Sequence, residues 1–110
     1  MIAASRVLKL RNPSETVVRI DVFLPTQESD GAWFCRYEID WPDEKRSFRA
    51  GGADSMQALF VAMQMIGAEI YASSYHEDRL IYLEKGHEGY GFPVPKSLRD
   101  LLVGDDKEYV

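Results

Sequence analysis

The run from Asp54 to Ser74, DSMQALFVAMQMIGAEIYASS, constrains the fold more than any other part of the chain. It contains no proline, and its apolar residues recur every three or four positions, which is the spacing of one face of an α-helix. Asp54 followed by Gln57 fits a capping box, so the helix is predicted to begin there. At about 1.5 Å per residue, a helix over 54–74 is roughly 30 Å long, enough to cross a small sheet.

One side of this predicted helix is broadly apolar, and we predict that it packs against the sheet. Burying a large apolar side chain contributes about 1.5–3 kcal/mol, so this side would dominate stability. On a helical wheel the stripe consists of Met56, Leu59, Phe60, Met63, Ile66, Ile70 and Tyr71.

The opposite side of the helix is small and neutral, with no charge from Ser55 through Ala68. A solvated helix surface usually carries Lys and Glu, so this side is expected to pack against another segment or another protein. Two explanations stay open: the segment 86–103 folds over it, or it meets a second copy or another protein. The predicted interaction surface is Gln57, Val61, Gln64, Met65, Ala68 and Ala72.

The rest of the chain contains strand-like runs in which apolar and polar residues alternate. Four runs precede the helix, at about 6–11, 16–24, 32–40 and 46–50, and a fifth follows at 79–84. Their short connections favour antiparallel pairing, because parallel strands need long crossovers. Residues 86–95 hold glycines and prolines that exclude regular structure. A short helix is predicted at 96–103, and 104–110 is predicted to fray.

These elements predict one α+β domain over residues 1–110. Its core is an antiparallel meander sheet of about five strands, with one long α-helix packed on one face and a short C-terminal helix.

The charge distribution argues against nucleic acid as a partner. The chain carries 13 Lys and Arg against 18 Asp and Glu, for a net charge of −5. Residues 1–50 hold eight of each sign, so the excess belongs to residues 51–110, and no basic stripe is present. Binding to phosphates needs clustered Lys and Arg.

The sequence also predicts a cytoplasmic protein without a membrane anchor. Gln57, Gln64 and Glu69 interrupt the helix too often for a membrane span. The apolar start before Arg6 is too short for a secretory signal. Cys35 is the only cysteine, which excludes an internal disulfide framework and fits a reducing compartment.

Few residues suggest catalytic chemistry. His76, His87 and Glu88 are potential metal ligands, but neither HExxH nor CxxC spacing is present, so solvated loop residues are the favoured interpretation. Cys35 could pair with a histidine as nucleophile and base, yet it falls on the apolar face of its strand, where free cysteines are usually inert. We therefore assign no catalytic residue, no metal ligand and no cofactor, and keep His76, His87 and Glu88 as an alternative polar site.

Three stretches together resemble a known family. They are the strand AWFCRYEI, the helix AGGADSMQALFVAMQMIGAEIY and the C-terminal GYGFPVPKSLRDLL. The chain is similar over about 30–103 to small bacterial proteins known as a domain of unknown function, and DSMQAL and GFPVP are the most specific parts. The resemblance implies a bacterial, cytoplasmic α+β domain and carries no activity or catalytic residues.

Two classes of function follow. The favoured one is a non-catalytic module that binds a protein partner or a second copy through the helix, as toxin-neutralising immunity proteins do by a class-level analogy. The alternative is a small metal- or ligand-binding enzyme that uses His76, His87 and the Gly-rich loop.

Overall fold

A computed structural model describes residues 1–12 and 16–110. The strands are β1 (Ile2–Leu10), β2 (Val17–Phe23), β3 (Thr26–Gln27), β4 (Trp33–Asp40), β5 (Lys45–Gly52) and β6 (Ile81–Tyr82). The helices are α1 (Ser55–Ala72), α2 (Ser74–Glu77), a 3-10 helix (Lys96–Leu101) and α3 (Gly104–Tyr109). The predicted fold class, an antiparallel sheet with a long helix on one face and a short C-terminal helix, is confirmed.

The sheet is an antiparallel meander in which β1, β2, β4 and β5 follow one another. β5 pairs along the whole of β4, so β2 and β3 share the other edge of that strand. β6 returns to pair with the far edge of β1. The resulting order is β5, β4, β2, β1, β6, which is the arrangement that short connections favour.

The inner face of the sheet is apolar because alternate residues of each strand point to the same side. Cys35 is among these residues, as its place in the alternation predicts. The buried residues of this face are Leu8, Leu10, Val18, Ile20, Val22, Cys35, Tyr37, Ile39 and Ala50.

Helix α1 lies over β4 and β5 and begins where the sequence predicts. A carboxylate oxygen of Asp54 accepts a hydrogen bond from the Gln57 N–H at 2.8 Å, and the Gln57 side chain accepts one from the Ala53 N–H at 2.6 Å. The helix ends at Ala72 rather than Ser74, because the hydroxyl of Ser73 caps α2 by accepting from the His76 N–H at 3.2 Å.

The orientation predicted for α1 was wrong in its first half. Ala58 and Ala62 are fully buried, whereas Met56 and Phe60 are 79% and 53% exposed. The reason is the close approach of α1 to β5, since a Cβ atom on Gly52 would overlap with the backbone of Ala58. Only small side chains fit between helix and sheet there, and the larger ones are turned outward.

Glu69, the only charge in α1, also points toward the sheet. It accepts hydrogen bonds from the Tyr37 hydroxyl and, at 2.5 Å, from Nε of Arg46. The neutrality predicted for 55–68 therefore extends along the whole uncovered side of the helix.

The C-terminal region differs from its prediction in two respects. Residues 96–101 form a 3-10 helix rather than the α-helix predicted at 96–103. The tail predicted to fray forms α3, and Asp106 within it is 1% exposed. The polar sequence GDDKEYV gave no local sign of this, because the interactions that hold α3 come from residues distant in sequence.

No helix of the described ranges is long and apolar enough to cross a membrane.

Candidate functional site

The uncovered side of α1 contains the predicted interaction surface. Sheet-facing positions of α1 are Ala58, Ala62, Ile66 and Ile70, and the predicted residues fall at other helical angles. Gln57 and Ala72 are exposed and the others are half-buried, and of these Val61 and Met65 pack against the margin of the core. The full set is Gln57, Val61, Gln64, Met65, Ala68 and Ala72.

Met56 and Phe60 extend this surface, although sequence reasoning placed them against the sheet. They lie one helical turn apart, beside Gln57 and Gln64, so their exposed apolar side chains adjoin uncharged neighbours. We call the combined set, Met56 and Phe60 with the six predicted residues, the exposed α1 surface.

The segment 86–103 covers a different flank of α1. A Cβ atom on Gly67 would overlap with the carbonyl oxygen of Pro93, and Tyr71 packs edge-on against Tyr90 with ring centroids 5.2 Å apart. This cover lies along the second half of the helix, so Met56 and Phe60 remain exposed.

An apolar groove of about 310 Å³ lies between the first half of α1 and the start of β1. Its floor is the inner face of β2, and one wall is the helix flank that carries Leu59 and Met63. The groove is lined by Ala3, Ala4, Ser5, Arg6, Ile20, Val22, Leu59, Met63 and Phe92.

The predicted polar residues converge on a separate cleft of about 490 Å³. His76 comes from α2, and His87 and Glu88 come from the loop after β6. Arg11 and Arg79 also line the cleft, and Nη1 of Arg11 donates to the carbonyl oxygen of Arg79 at 2.9 Å. The sequence named the two histidines and Glu88, but only the fold brings them together.

Behind the cleft, His76 belongs to a cluster of rings. Its Nδ1 lies 2.5 Å from the Tyr90 hydroxyl, and its ring packs edge-on against Tyr71. Burial raises the pKa of Tyr90 to about 12, and the negative charges of Asp106 and Glu88 add to this effect. Burial lowers the pKa of His76, against the opposing charge of Glu88. The neutral forms of both side chains are therefore favoured.

Asp106 anchors this cluster and was missed by sequence reasoning. Its carboxylate accepts hydrogen bonds from the Tyr71 hydroxyl at 2.6 Å, the Tyr90 N–H at 2.7 Å and the Gly91 N–H at 2.6 Å. The Val103 N–H in turn donates to the Tyr71 hydroxyl oxygen at 3.2 Å. The one available signal was indirect: a Gly-rich loop whose N–H groups are buried needs an acceptor from elsewhere.

The described part of the chain, 1–12 and 16–110, contains no group of three or more His, Cys, Asp or Glu placed to hold a metal ion. Cys35 lies in the core, where burial raises its thiol pKa, so its reactive thiolate form is disfavoured.

Comparison with known proteins identifies the family. The profile of the domain of unknown function DUF6968 matches residues 4–94. The chain belongs to this family. The resemblance to a domain of unknown function, inferred from the strand, the helix and GFPVP, is thus confirmed. No curated protein and no solved structure matches the chain. Membership in this family assigns the chain no activity.

The lowered pKa of His76 predicts that the DUF6968 domain is sensitive to acid. The unfolded chain takes up a proton at the ordinary histidine pKa of about 6.5, above the lowered pKa of the folded state. The contribution of neutral His76 to the stability of the fold is fully present above the unfolded-state pKa. It is lost as the pH falls from there through the lowered pKa of the folded state. We expect the free energy of unfolding to fall more steeply between about pH 7.5 and 5.5 in the wild type than in His76→Asn. Urea unfolding at a series of pH values measures this, and parallel pH curves for the two proteins would contradict it.

Proposed function

We propose that this domain is a non-catalytic protein-interaction module that self-associates through the exposed α1 surface. The observation that carries the proposal is the exposure of Met56 and Phe60, at 79% and 53%, on a helix side without charge. Contiguous apolar surface of this kind, rimmed by polar groups, is typical of protein–protein contact sites.

A second copy is the partner that this surface suits best. Each copy carries a net charge of −5, and the exposed α1 surface brings none of that charge to the contact. A two-fold contact places the same surface on both sides, so each group must be compatible with itself. The amides of Gln57 and Gln64 both donate and accept hydrogen bonds, and the small Ala68 and Ala72 allow two helices to approach closely.

The proposal also includes a cytoplasmic location. The unpaired thiol of Cys35 supports it, because free cysteines are usual in reducing compartments.

The test is the solution mass of the untagged protein, measured by light scattering over a concentration series. We expect a dimer for the wild type. Phe60→Glu and Ala68→Arg should each weaken dimerisation by about tenfold or more, because both place charge in a contact that excludes water.

Val17→Glu is the matched control, since Val17 is an equally exposed apolar residue on the outer face of the sheet, at 52%. It should dimerise like the wild type. A wild type that stays monomeric, or a dimer that Val17→Glu disrupts and Phe60→Glu does not, would sink the proposal. Circular dichroism verifies that each variant is folded.

A second candidate function is the binding of a small ligand, with or without catalysis, in the polar cleft. The convergence of His76, His87 and Glu88 beside two arginines favours it. Melting temperatures with and without zinc, manganese or inorganic phosphate separate the two candidates, because a bound ligand raises the melting temperature without changing the mass.

A further inference from the structure

The edge of β1 that faces away from β2 is open over most of its length. Among the described residues, β6 pairs with this edge only at Lys9 and Leu10. Backbone groups of a strand alternate between its two edges. The Leu10 N–H donates to Thr16 on the β2 side and the Arg11 N–H donates to Leu80 on the β6 side. The register with β2 shifts between Ile2 and Ala4, so this alternation applies from Ala4 onward. Odd-numbered residues there face the β6 side, and the N–H and C=O groups of Ser5 and Val7 point outward from the open edge.

The apolar groove lies directly beside this open edge. Leu8 and Leu10 are buried on the inner face, so Ala4 and Arg6 also point to that face, toward the groove. Ala4 is small and leaves the entrance unobstructed. A strand added along β1 would point every second side chain to the inner face of the sheet. The side chain that lies opposite Ala4 would enter the groove between Ile20 and Met63.

The charge beside the groove selects the kind of strand. Residues 1–12 contain Arg6, Lys9 and Arg11 and no acidic residue, although the whole chain is acidic. Nη1 of Arg6 donates to the carbonyl oxygens of Tyr90 and Gly91, at 3.1 and 3.0 Å, which holds the guanidinium at the end of the groove. A second copy of β1 at this edge would bring like charges together. An acidic strand would instead place opposite charges beside each other.

We infer that the open edge of β1 and the apolar groove bind an extended segment of another protein by strand addition. The segment carries a large apolar residue, which fills the groove opposite Ala4, and an acidic residue two positions away, opposite Arg6. Main-chain hydrogen bonds to the edge supply affinity, and the groove and Arg6 supply specificity. This site uses residues other than the exposed α1 surface, so it goes beyond self-association.

The first experiment is hydrogen exchange of the full chain, with and without a fluorescein-labelled octapeptide. The octapeptide has leucine and glutamate two positions apart in an otherwise β-branched sequence. We expect the peptide to slow exchange of the Ser5 and Val7 amides, while Ala4 and Arg6, which already face β2, change little. Absence of this alternating protection at millimolar peptide would overturn the inference.

The second measurement is fluorescence polarisation with protein variants. Ala4→Trp obstructs the groove and should weaken peptide binding by about tenfold or more. Val17→Trp places the same ring on the outer face of β2, away from the open edge and the groove, and should leave binding unchanged, as a matched control. Replacing the peptide glutamate by lysine should also weaken binding.

Equal effects of Ala4→Trp and Val17→Trp would overturn the inference, and so would equal binding of the lysine peptide. Concentration-dependent protection of the edge amides without peptide would show instead that a second copy occupies the edge. The mass of the Phe60→Glu variant, measured alongside, reports on self-association independently of peptide binding.

Discussion

Asp106→Ala should lower the free energy of unfolding by about 4 kcal/mol, although Asp106 lies only four residues before the end of the chain. The substitution removes the acceptor for the Tyr90 and Gly91 N–H groups and for the Tyr71 hydroxyl. A buried donor left without a partner costs about 1–3 kcal/mol, and three such losses in one place are only partly additive. Urea unfolding followed by circular dichroism measures the effect.

Asp105→Ala is the matched control for Asp106→Ala. Asp105 is the adjacent acidic residue, its side chain is 57% exposed, and its contact is a surface pair with His87 at 3.3 Å. The loss there should stay within about 0.5 kcal/mol, as for most surface substitutions. Equal losses for the two variants would mean that the buried carboxylate is not what holds α3 and the loop.

Gly67→Ala should destabilise the protein by about 2–3 kcal/mol, against the usual trend for helices. In an exposed helix, replacing Gly by Ala gains about 1 kcal/mol, because Ala is the better helix former. Here the added Cβ would overlap with the Pro93 carbonyl oxygen, a backbone atom that cannot rotate away. The segment at Pro93 and Val94 would have to lift from the helix, exposing apolar surface that is now buried.

Gly51→Ala provides the comparison for Gly67→Ala. A Cβ on Gly51 would lie 3.5 Å from the Phe34 ring and 3.9 Å from the Trp33 carbonyl oxygen. Both are ordinary van der Waals contacts, so this variant should be as stable as the wild type or slightly more stable. Thermal and urea unfolding of both variants measure their stability relative to the wild type. A stabilised Gly67→Ala protein would show that the segment does not cover α1 at this point.

The sequence predicted the elements better than it predicted how they face one another. Alternation and helical spacing are local properties, so the meander, the position of α1 and its start at Asp54 were all accessible. The side of α1 that meets the sheet was not, because it depends on how closely two backbones approach at Gly52 and Ala58. Ranking side chains by hydrophobicity favoured Met56 and Phe60 for that position. The geometry required alanine.

The candidate sites show the same division. A helix surface without charge can be read from the sequence, and so can two histidines near a Gly-rich loop. That His76, His87 and Glu88 share a cleft depends on how α2 and the loop after β6 are placed. The role of Asp106 depends on Tyr71 and Tyr90, which are 35 and 16 residues away. Such contacts leave no periodic pattern in the sequence from which they could be predicted.

The bonds from Arg6 to Tyr90 and Gly91 also constrain when the protein can fold. They join residues 84 and 85 positions apart. Tyr90 and Gly91 therefore leave the ribosome long after β1 has emerged. Contacts of such separation slow folding, because a long loop must close before they form. During synthesis, β1 and β2 can pair early, but their inner face stays uncovered until α1 and then the segment at 90–94 are made. Leu8, Ile20 and Val22 therefore stay exposed on the nascent chain until the segment at 90–94 has emerged, and they are open to aggregation or chaperone binding during that time.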